Sequence, residues 1–294
     1  MSFTQWLSDK SKIILFDGAM GTQLMQYDLE PGKAPDLLNI ENPEIVKKVL
    51  ASYYNSGADM VQTCTFSSNF INLKNQNLDN LLQEINSAAL SNIKAIKPSN
   101  GKLIVGDVGP SGEFRPPVGN ATGDKWNQGF RKQVEILDKG VDLWHIETMS
   151  DLQEMSAAID AIKNVSEKPI ISSMTYRKTK TRGFYTIMGD SLESCITKLE
   201  EKNVDVIGAN CTLGSDQMID LAKELIELTD KPVSVKPNAG QPRLEGGNTV
   251  YNQTPNEFVN DIEQMIDLGA KIVGGCCGTT PTHIRKIRTL IDNR

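Results

Sequence analysis

Residues Ala270–Pro281 read AKIVGGCCGTTP. A β-favouring run (Lys271 to Val273) passes into a glycine-rich turn, and Thr280-Pro281 then offers a helix cap followed by proline at the first helical position. This is the grammar of a strand, a turn and a helix start. Working back from it, the same grammar recurs in runs beginning near Lys12 (KIILFDG), Ala58 (ADMVQTCTF), Lys102 (KLIVGDVGP), Val141 (VDLWHIET), Lys168 (KPIISSMTY), Val204 (VDVIGANCT) and Lys231 (KPVSVKPNAG). Strands that alternate with helical segments down a whole chain signal βα units around a parallel sheet. Eight units predict an α/β fold, a (β/α)8 TIM barrel forming a single domain over residues 1–294. An open doubly wound sheet more often uses fewer strands, and the first strand is not followed by the G-x-G-x-x-G turn that such sheets use for dinucleotides.

Helix punctuation agrees. Asn42-Pro43 opens a run ending near Gly57, Thr254-Pro255 opens another, and Ser150 with Gln153 has capping-box spacing. Asn86 to Ile96 and Leu192 to Leu199 carry the apolar spacing of amphipathic helices. With 39% hydrophobic and 23% charged residues the chain can bury a sizeable core. Its net charge of −6, with 31 scattered basic residues, opposes binding to nucleic acid. No signal-peptide apolar stretch opens the sequence and no run of about 18 apolar residues occurs, so no membrane association and a cytoplasmic location are expected.

In a barrel the chemistry lies at the C-terminal strand ends. Here these supply Asp17, Thr63 to Thr65, Asp107 to Ser111, Glu147-Thr148, Thr175-Tyr176, Asn210-Cys211, Asn238-Ala239 and Cys276-Cys277. Three of the five cysteines, an odd number that argues against a disulfide framework, thus converge on one rim. Cys211, Cys276 and Cys277 match the three-ligand count of a catalytic zinc with one open position, and Gly274, Gly275 and Gly278 let adjacent cysteines depart from strand geometry. Two other readings stand beside this one: small buried hydrophobes, and a vicinal disulfide. A zinc ion carrying three thiolates is a poor activator of water but can bind an incoming thiol in ionised form, which suits methyl transfer to sulfur better than hydrolysis. Asp17 and Glu147 could hold the ammonium group of an amino-acid substrate, or else be solvated rim charges. The stretch Gly106 to Ser111 could turn backbone N–H groups toward a carboxylate. His145 is expected in the barrel core or behind the site, and His283 on the surface of the last helix. Cys64 near the rim is either a packing residue or a fourth ligand.

The segments FDGAMGTQL (Phe16–Leu24), LLNIENPEIV (Leu37–Val46), IETMSDLQE (Ile146–Glu154), IGANCTLG (Ile207–Gly214), VKPNAGQP (Val235–Pro242) and GGCCGTTPTHI (Gly274–Ile284) resemble the homocysteine S-methyltransferase family. Within it they look most like the homocysteine-binding module of cobalamin-dependent methionine synthases. The resemblance covers nearly the whole chain, and its last segment is highly specific. It implies zinc on Cys211, Cys276 and Cys277, marked upstream by Asn210, with homocysteine sulfur in the open position. Asp17 and Glu147 would then bind the substrate amino group, and backbone near Gly18, Gly109, Pro110, Ser111, Asn238 and Ala239 would shape the pocket. Cys64 departs from the pattern, since relatives often have Asn there. The family's methionine synthases continue into pterin- and cobalamin-binding modules that this sequence lacks. The expected donor is therefore a methylcorrinoid such as methylcobalamin on a separate carrier protein, docking near Phe66 to Phe70 and Glu113 to Asn120. Alternatives are a small donor such as S-methylmethionine or a betaine, another thiol acceptor, a related corrinoid demethylation pathway, or a non-catalytic zinc scaffold.

Overall fold

The computed structural model describes residues 2–27, 34–181, 183–246 and 248–294. All eight predicted runs form strands: β1 (Ile14–Leu15), β2 (Met60–Gln62), β3 (Leu103–Val108), β4 (Leu143–Met149), β5 (Ile170–Met174), β6 (Val206–Gly214), β7 (Val233–Asn238) and β8 (Ile272–Val273). They pair in parallel in the order β1-β8-β7-β6-β5-β4-β3-β2. Each is followed by a helix: α1 (Pro43–Asn55), α2 (Leu82–Ile96), α3 (Gly123–Leu137), α4 (Leu152–Lys163), α5 (Leu192–Glu201), α6 (Ser215–Leu228), α7 (Pro255–Leu268) and α8 (Pro281–Asp292). The expected (β/α)8 barrel is the fold.

The ladder runs from β1 round to β2, and polar groups close the remaining seam. Asp59 N–H donates to Leu15 O (2.7 Å). A carboxylate replaces a carbonyl in two further bonds: Leu15 N–H donates back to Asp59 Oδ2 (3.0 Å), and Gln62 N–H donates to Asp17 Oδ2 (2.8 Å). Lys102 (3.2 Å), Arg288 (3.5 Å) and Lys12 (3.8 Å) hold Asp59 from outside.

Alternation along the strands sorts the core, because successive side chains point to opposite faces. One set, including Ile14, Phe16, Met60, Leu103, Val105, Leu143, Ile171, Val206 and Ile272, packs inside the barrel over Phe3 and Trp6 of the N-terminal helix Phe3–Ser8. The opposite set, including Leu15, Val61, Ile104, Trp144 and Ile207, packs against the helices.

Three expectations change at the element ends. The capping side chain of α4 is Asp151, which accepts from Gln153 N–H (2.8 Å); Ser150 does not cap it. His283 is buried, because its ring folds back to accept from Thr280 N–H (3.1 Å) and reaches Gln253 O (3.3 Å). Two rim hairpins, Arg177–Thr179 with Gly183–Tyr185 and Arg243–Glu245 with Asn248–Val250, interrupt the βα pattern. Three-residue strands are too short to carry a period for a sequence reading to detect.

Candidate active site

The inward register continues up the strands, and near the top of the barrel it turns polar. Gln62 sits two residues after Met60, Asp107 two after Val105, Lys236 two after Ser234, and Glu147 four after Leu143, all buried. Gln62 is the hub. Its Nε2 donates to Glu147 Oε1 (2.6 Å) and Asp107 Oδ2 (3.3 Å), while its Oε1 accepts from Lys236 Nζ (3.1 Å). Lys236 also donates to Asp17 Oδ1 (2.8 Å) and lies over the Phe16 ring. Burial works against the ammonium, but Asp17 and Glu147 outweigh it and hold its pKa above the usual lysine value. Burial, reinforced by Glu147, pushes the Asp107 carboxyl well above the usual carboxylate range.

The sulfurs stand on the β6 and β8 side. Strand β6 breaks its register after Asn210, and Cys211 and Thr212 take left-handed backbone conformations, with φ of 59° and 54°. That turn brings Cys211 Sγ to 3.9 Å from Cys277 Sγ. The sulfurs of Cys211, Cys276 and Cys277 lie within 4.8 Å of one another, and all three thiols are free and half-buried. The Cys276-Cys277 turn is held by its backbone: Gly275 N–H donates to Asp17 O (2.9 Å), Cys276 N–H to Pro237 O (2.8 Å) and Ala239 N–H to Cys277 O (2.9 Å). At Gly278, φ of 81° permits the turn. The contact with Cys276 lowers the Cys211 pKa, but Cys277 and burial carry it up to about 12. Three neighbouring thiols resist ionising together without a cation, and three soft donors suit zinc or a similar thiophilic ion.

Asn210 joins the two regions. Its Nδ2 donates to Glu147 Oε2 (2.6 Å) and Thr148 Oγ1 (2.8 Å) and lies 3.7 Å from Cys276 Sγ, while its Oδ1 accepts from Thr148 N–H (2.8 Å). Asp107, His145 and Glu147 also bring ligand atoms within 4.8 Å of one another. His145, however, spends both ring nitrogens on Gln62 Oε1 (3.1 Å) and Ser173 Oγ (2.9 Å), and burial followed by Lys236 lowers its pKa and keeps it neutral.

Not every expected residue lies on the cavity, which measures about 190 Å³. Gly18, Glu147, Cys211, Cys276 and Cys277 line it. Asp17 stands behind the wall with both oxygens engaged by Lys236 and Gln62. The turn Gly109–Ser111 does not present free amides, because Gly109 N–H donates to Phe66 O (3.1 Å) and Ser111 N–H to Glu154 Oε1 (2.7 Å). Asn238 and Ala239 lie outside the cavity, and Ala239 holds the cysteine turn through its N–H to Cys277 O (2.9 Å). Cys64 lines the cavity away from the other thiols and points to Asp36 (3.8 Å). The sequence reading missed Gln62 and Lys236 and named Asp107 only as a strand-end residue without a role of its own; the available signal was a polar residue at an inward position of an otherwise apolar strand.

A model of the homocysteine S-methyltransferase family matches residues 14–291. Methionine synthases of Mycobacterium tuberculosis and Mycobacterium leprae are each 28% identical, over 300 and 298 residues, covering 96% and 95% of this chain. The chain spans about a quarter of the length of these relatives. The metallated homocysteine methyltransferase MmuM of Escherichia coli superposes with a TM-score of 0.80 at 24% identity, covering 97% of this chain and 98% of that one. At that identity the match speaks for the fold. No helix among the described residues is long and apolar enough to cross a membrane.

Proposed function

Because the chain belongs to the homocysteine S-methyltransferase family, we propose that its barrel, residues 1–294, is a homocysteine-binding domain that methylates the bound thiol to methionine. Zinc on Cys211, Cys276 and Cys277 is part of this reading. The carrying observation is the set of three free sulfurs within 4.8 Å in the lining of a cavity that Glu147 and Asp107 also line. An acceptor with a thiol at one end and an ammonium at the other matches that polarity.

When bound, zinc supplies a positive centre that favours the ionised form of an incoming thiol. The chain's own residues do the rest. Glu147, buttressed by Gln62 and Asn210, accepts hydrogen bonds from the amino group. Asn210 fixes the carboxylate relative to Cys276, so amino group and sulfur are oriented together before the methyl arrives. The donor in this reading is a methylcorrinoid on a separate protein, the corrinoid being what the resemblance to cobalamin-dependent methionine synthases supports. A cavity of about 190 Å³ is below the roughly 300–1,000 Å³ of ordinary ligand pockets and supports donor approach at the mouth. A cytoplasmic, reducing location accords with five free cysteines.

The test is zinc content of the purified chain and of Cys276→Ser. We expect about one zinc per chain, and a loss of at least about tenfold in zinc affinity in the variant. Full retention would move the metal to Asp107, His145 and Glu147 and sink the thiolate reading. Turnover of homocysteine with a methylated corrinoid protein, S-methylmethionine and betaine side by side identifies the donor; activity with the small donors alone would remove the corrinoid partner.

A further inference from the structure

Resting on the zinc and homocysteine readings, we infer that Thr279 is a positioning residue: its hydroxyl locks the Gly18-Ala19 wall of the cavity to the cysteine turn, so that filling the metal site sets where that wall stands.

The sequence places Thr279 directly after the Cys276-Cys277-Gly278 turn, one residue before the threonine that caps α8. Its side chain is fully buried, and a buried hydroxyl has to spend its one donor and its acceptor capacity inside the protein. Both are spent between two strand-end loops. Oγ1 donates to Cys276 O (2.7 Å) in its own turn and accepts from Ala19 N–H (3.0 Å) in the loop after β1. Gly18, Ala19, Gly275, Cys276 and Cys277 line the cavity, whereas Thr279 stands behind the lining. One oxygen therefore fixes the separation of two cavity walls, one of which carries sulfurs.

The fit around that oxygen is close. A Cβ added at Gly18 would lie 2.8 Å from Thr279 Oγ1, and one added at Gly275 would lie 2.5 Å from it, so the hydroxyl fills a slot that the two glycines leave open. The loop is gripped elsewhere too: Tyr53 Oη donates to Ala19 O, and Gly278 N–H donates to Thr22 Oγ1 (3.2 Å).

The cysteine turn keeps its shape without the hydroxyl. Cys276 O also accepts from Thr279 N–H (3.1 Å), and Gly275 N–H, Cys276 N–H and Cys277 O have partners of their own. Ala19 N–H is in the opposite position, since its acceptor is Thr279 Oγ1 and the residue is buried. Removing the hydroxyl thus leaves the turn formed and the loop amide unpaired, at the cost of an unsatisfied buried donor. A turn stiffened by a cation on its thiols passes that stiffness to Ala19 through this one bond, because packed segments move as units.

The experiment compares the full chain as wild type, as Thr279→Val, which keeps the shape without the hydroxyl, and as Thr279→Ser, which keeps the hydroxyl. Amide exchange at Ala19 is read with and without zinc, the metal alone serving as probe. Zinc should slow that exchange at least about fivefold in wild type and Thr279→Ser but less than about twofold in Thr279→Val, whose zinc affinity should stay within about threefold of wild type. Calorimetry on the zinc-loaded chains should show homocysteine binding about tenfold weaker in Thr279→Val and restored to within about threefold in Thr279→Ser. A merely structural threonine would lower the denaturation midpoint without uncoupling Ala19 from the metal. An equal zinc effect in wild type and Thr279→Val, unchanged homocysteine affinity in that variant, or a serine variant that fails as the valine does overturns the inference. Should Thr279→Val not fold, wild type decides: zinc must slow Ala19 while exchange in β4 stays within about twofold, and an Ala19 amide indifferent to zinc refutes the coupling. A wild type that binds zinc but no homocysteine sinks the acceptor reading and leaves the exchange comparison to decide on Thr279. One that takes up no zinc ends both.

Discussion

Gly109 has a different task in the structure from the one its sequence suggests. A Cβ built there would lie 2.4 Å from Phe66 O and 2.6 Å from the Phe66 ring, so the position exists for close approach of two loops. Gly109→Ala should therefore cost about 1–3 kcal/mol in urea denaturation, with zinc content unchanged. A cost below about 0.5 kcal/mol would show that the loops yield freely. The cysteines were legible beforehand because soft ligands beside glycines at strand ends need only the barrel rule to bring them together. Lys236, Gln62 and Asp107 were harder to read. Their partners lie across the barrel at sequence separations of 45 to 219 residues, and a polar residue inside an apolar strand does not state which strand it will meet.

Helix α4 ties the site's rim to its scaffold through one acidic side chain in its first turn. Glu154 is buried, accepts from Ser111 N–H (2.7 Å), and has its pKa pushed up to about 7, chiefly by burial. A carboxyl whose folded pKa is raised contributes stability that is fully present below its unfolded value and is lost as pH rises through the folded one. The window here runs from 4.5 to about 7. Glu154→Gln keeps an acceptor without the charge, so it should match wild type near pH 4 and exceed it by up to roughly 3 kcal/mol at pH 8. Denaturant midpoints across that range check this, and a pH-independent offset would reject it. The start of α4 was signalled by capping-box spacing, but its cap was misread by one residue, because Ser150 and Asp151 are both good capping residues and only the backbone decides between them.

Across the whole molecule, the eight repeats of one strand-turn-helix grammar were sufficient to anticipate a closed ring, but nothing in the repeats marks where the ring is joined. The joint is β1 to β2, and Asp59 is its fastener, with three cations behind it. Asp59→Ala leaves the Leu15 amide without its acceptor and removes the carboxylate shared by Lys12, Lys102 and Arg288. It should cost about 2–4 kcal/mol and speed amide exchange at Leu15 before that of β4 to β7. Uniform acceleration over all strands would show that the seam has no separate stability. The inner side of the same joint is Asp17 and Gln62, the two residues that brace Lys236, Glu147 and Asp107. The carboxylate half of the pocket is thus built on the clasp of the barrel, and the sulfur half hangs from β6 and β8. Loosening the clasp would disturb the carboxylates while the thiols keep their spacing, so on the proposed homocysteine reading discrimination among acceptors is the property most exposed to partial unfolding.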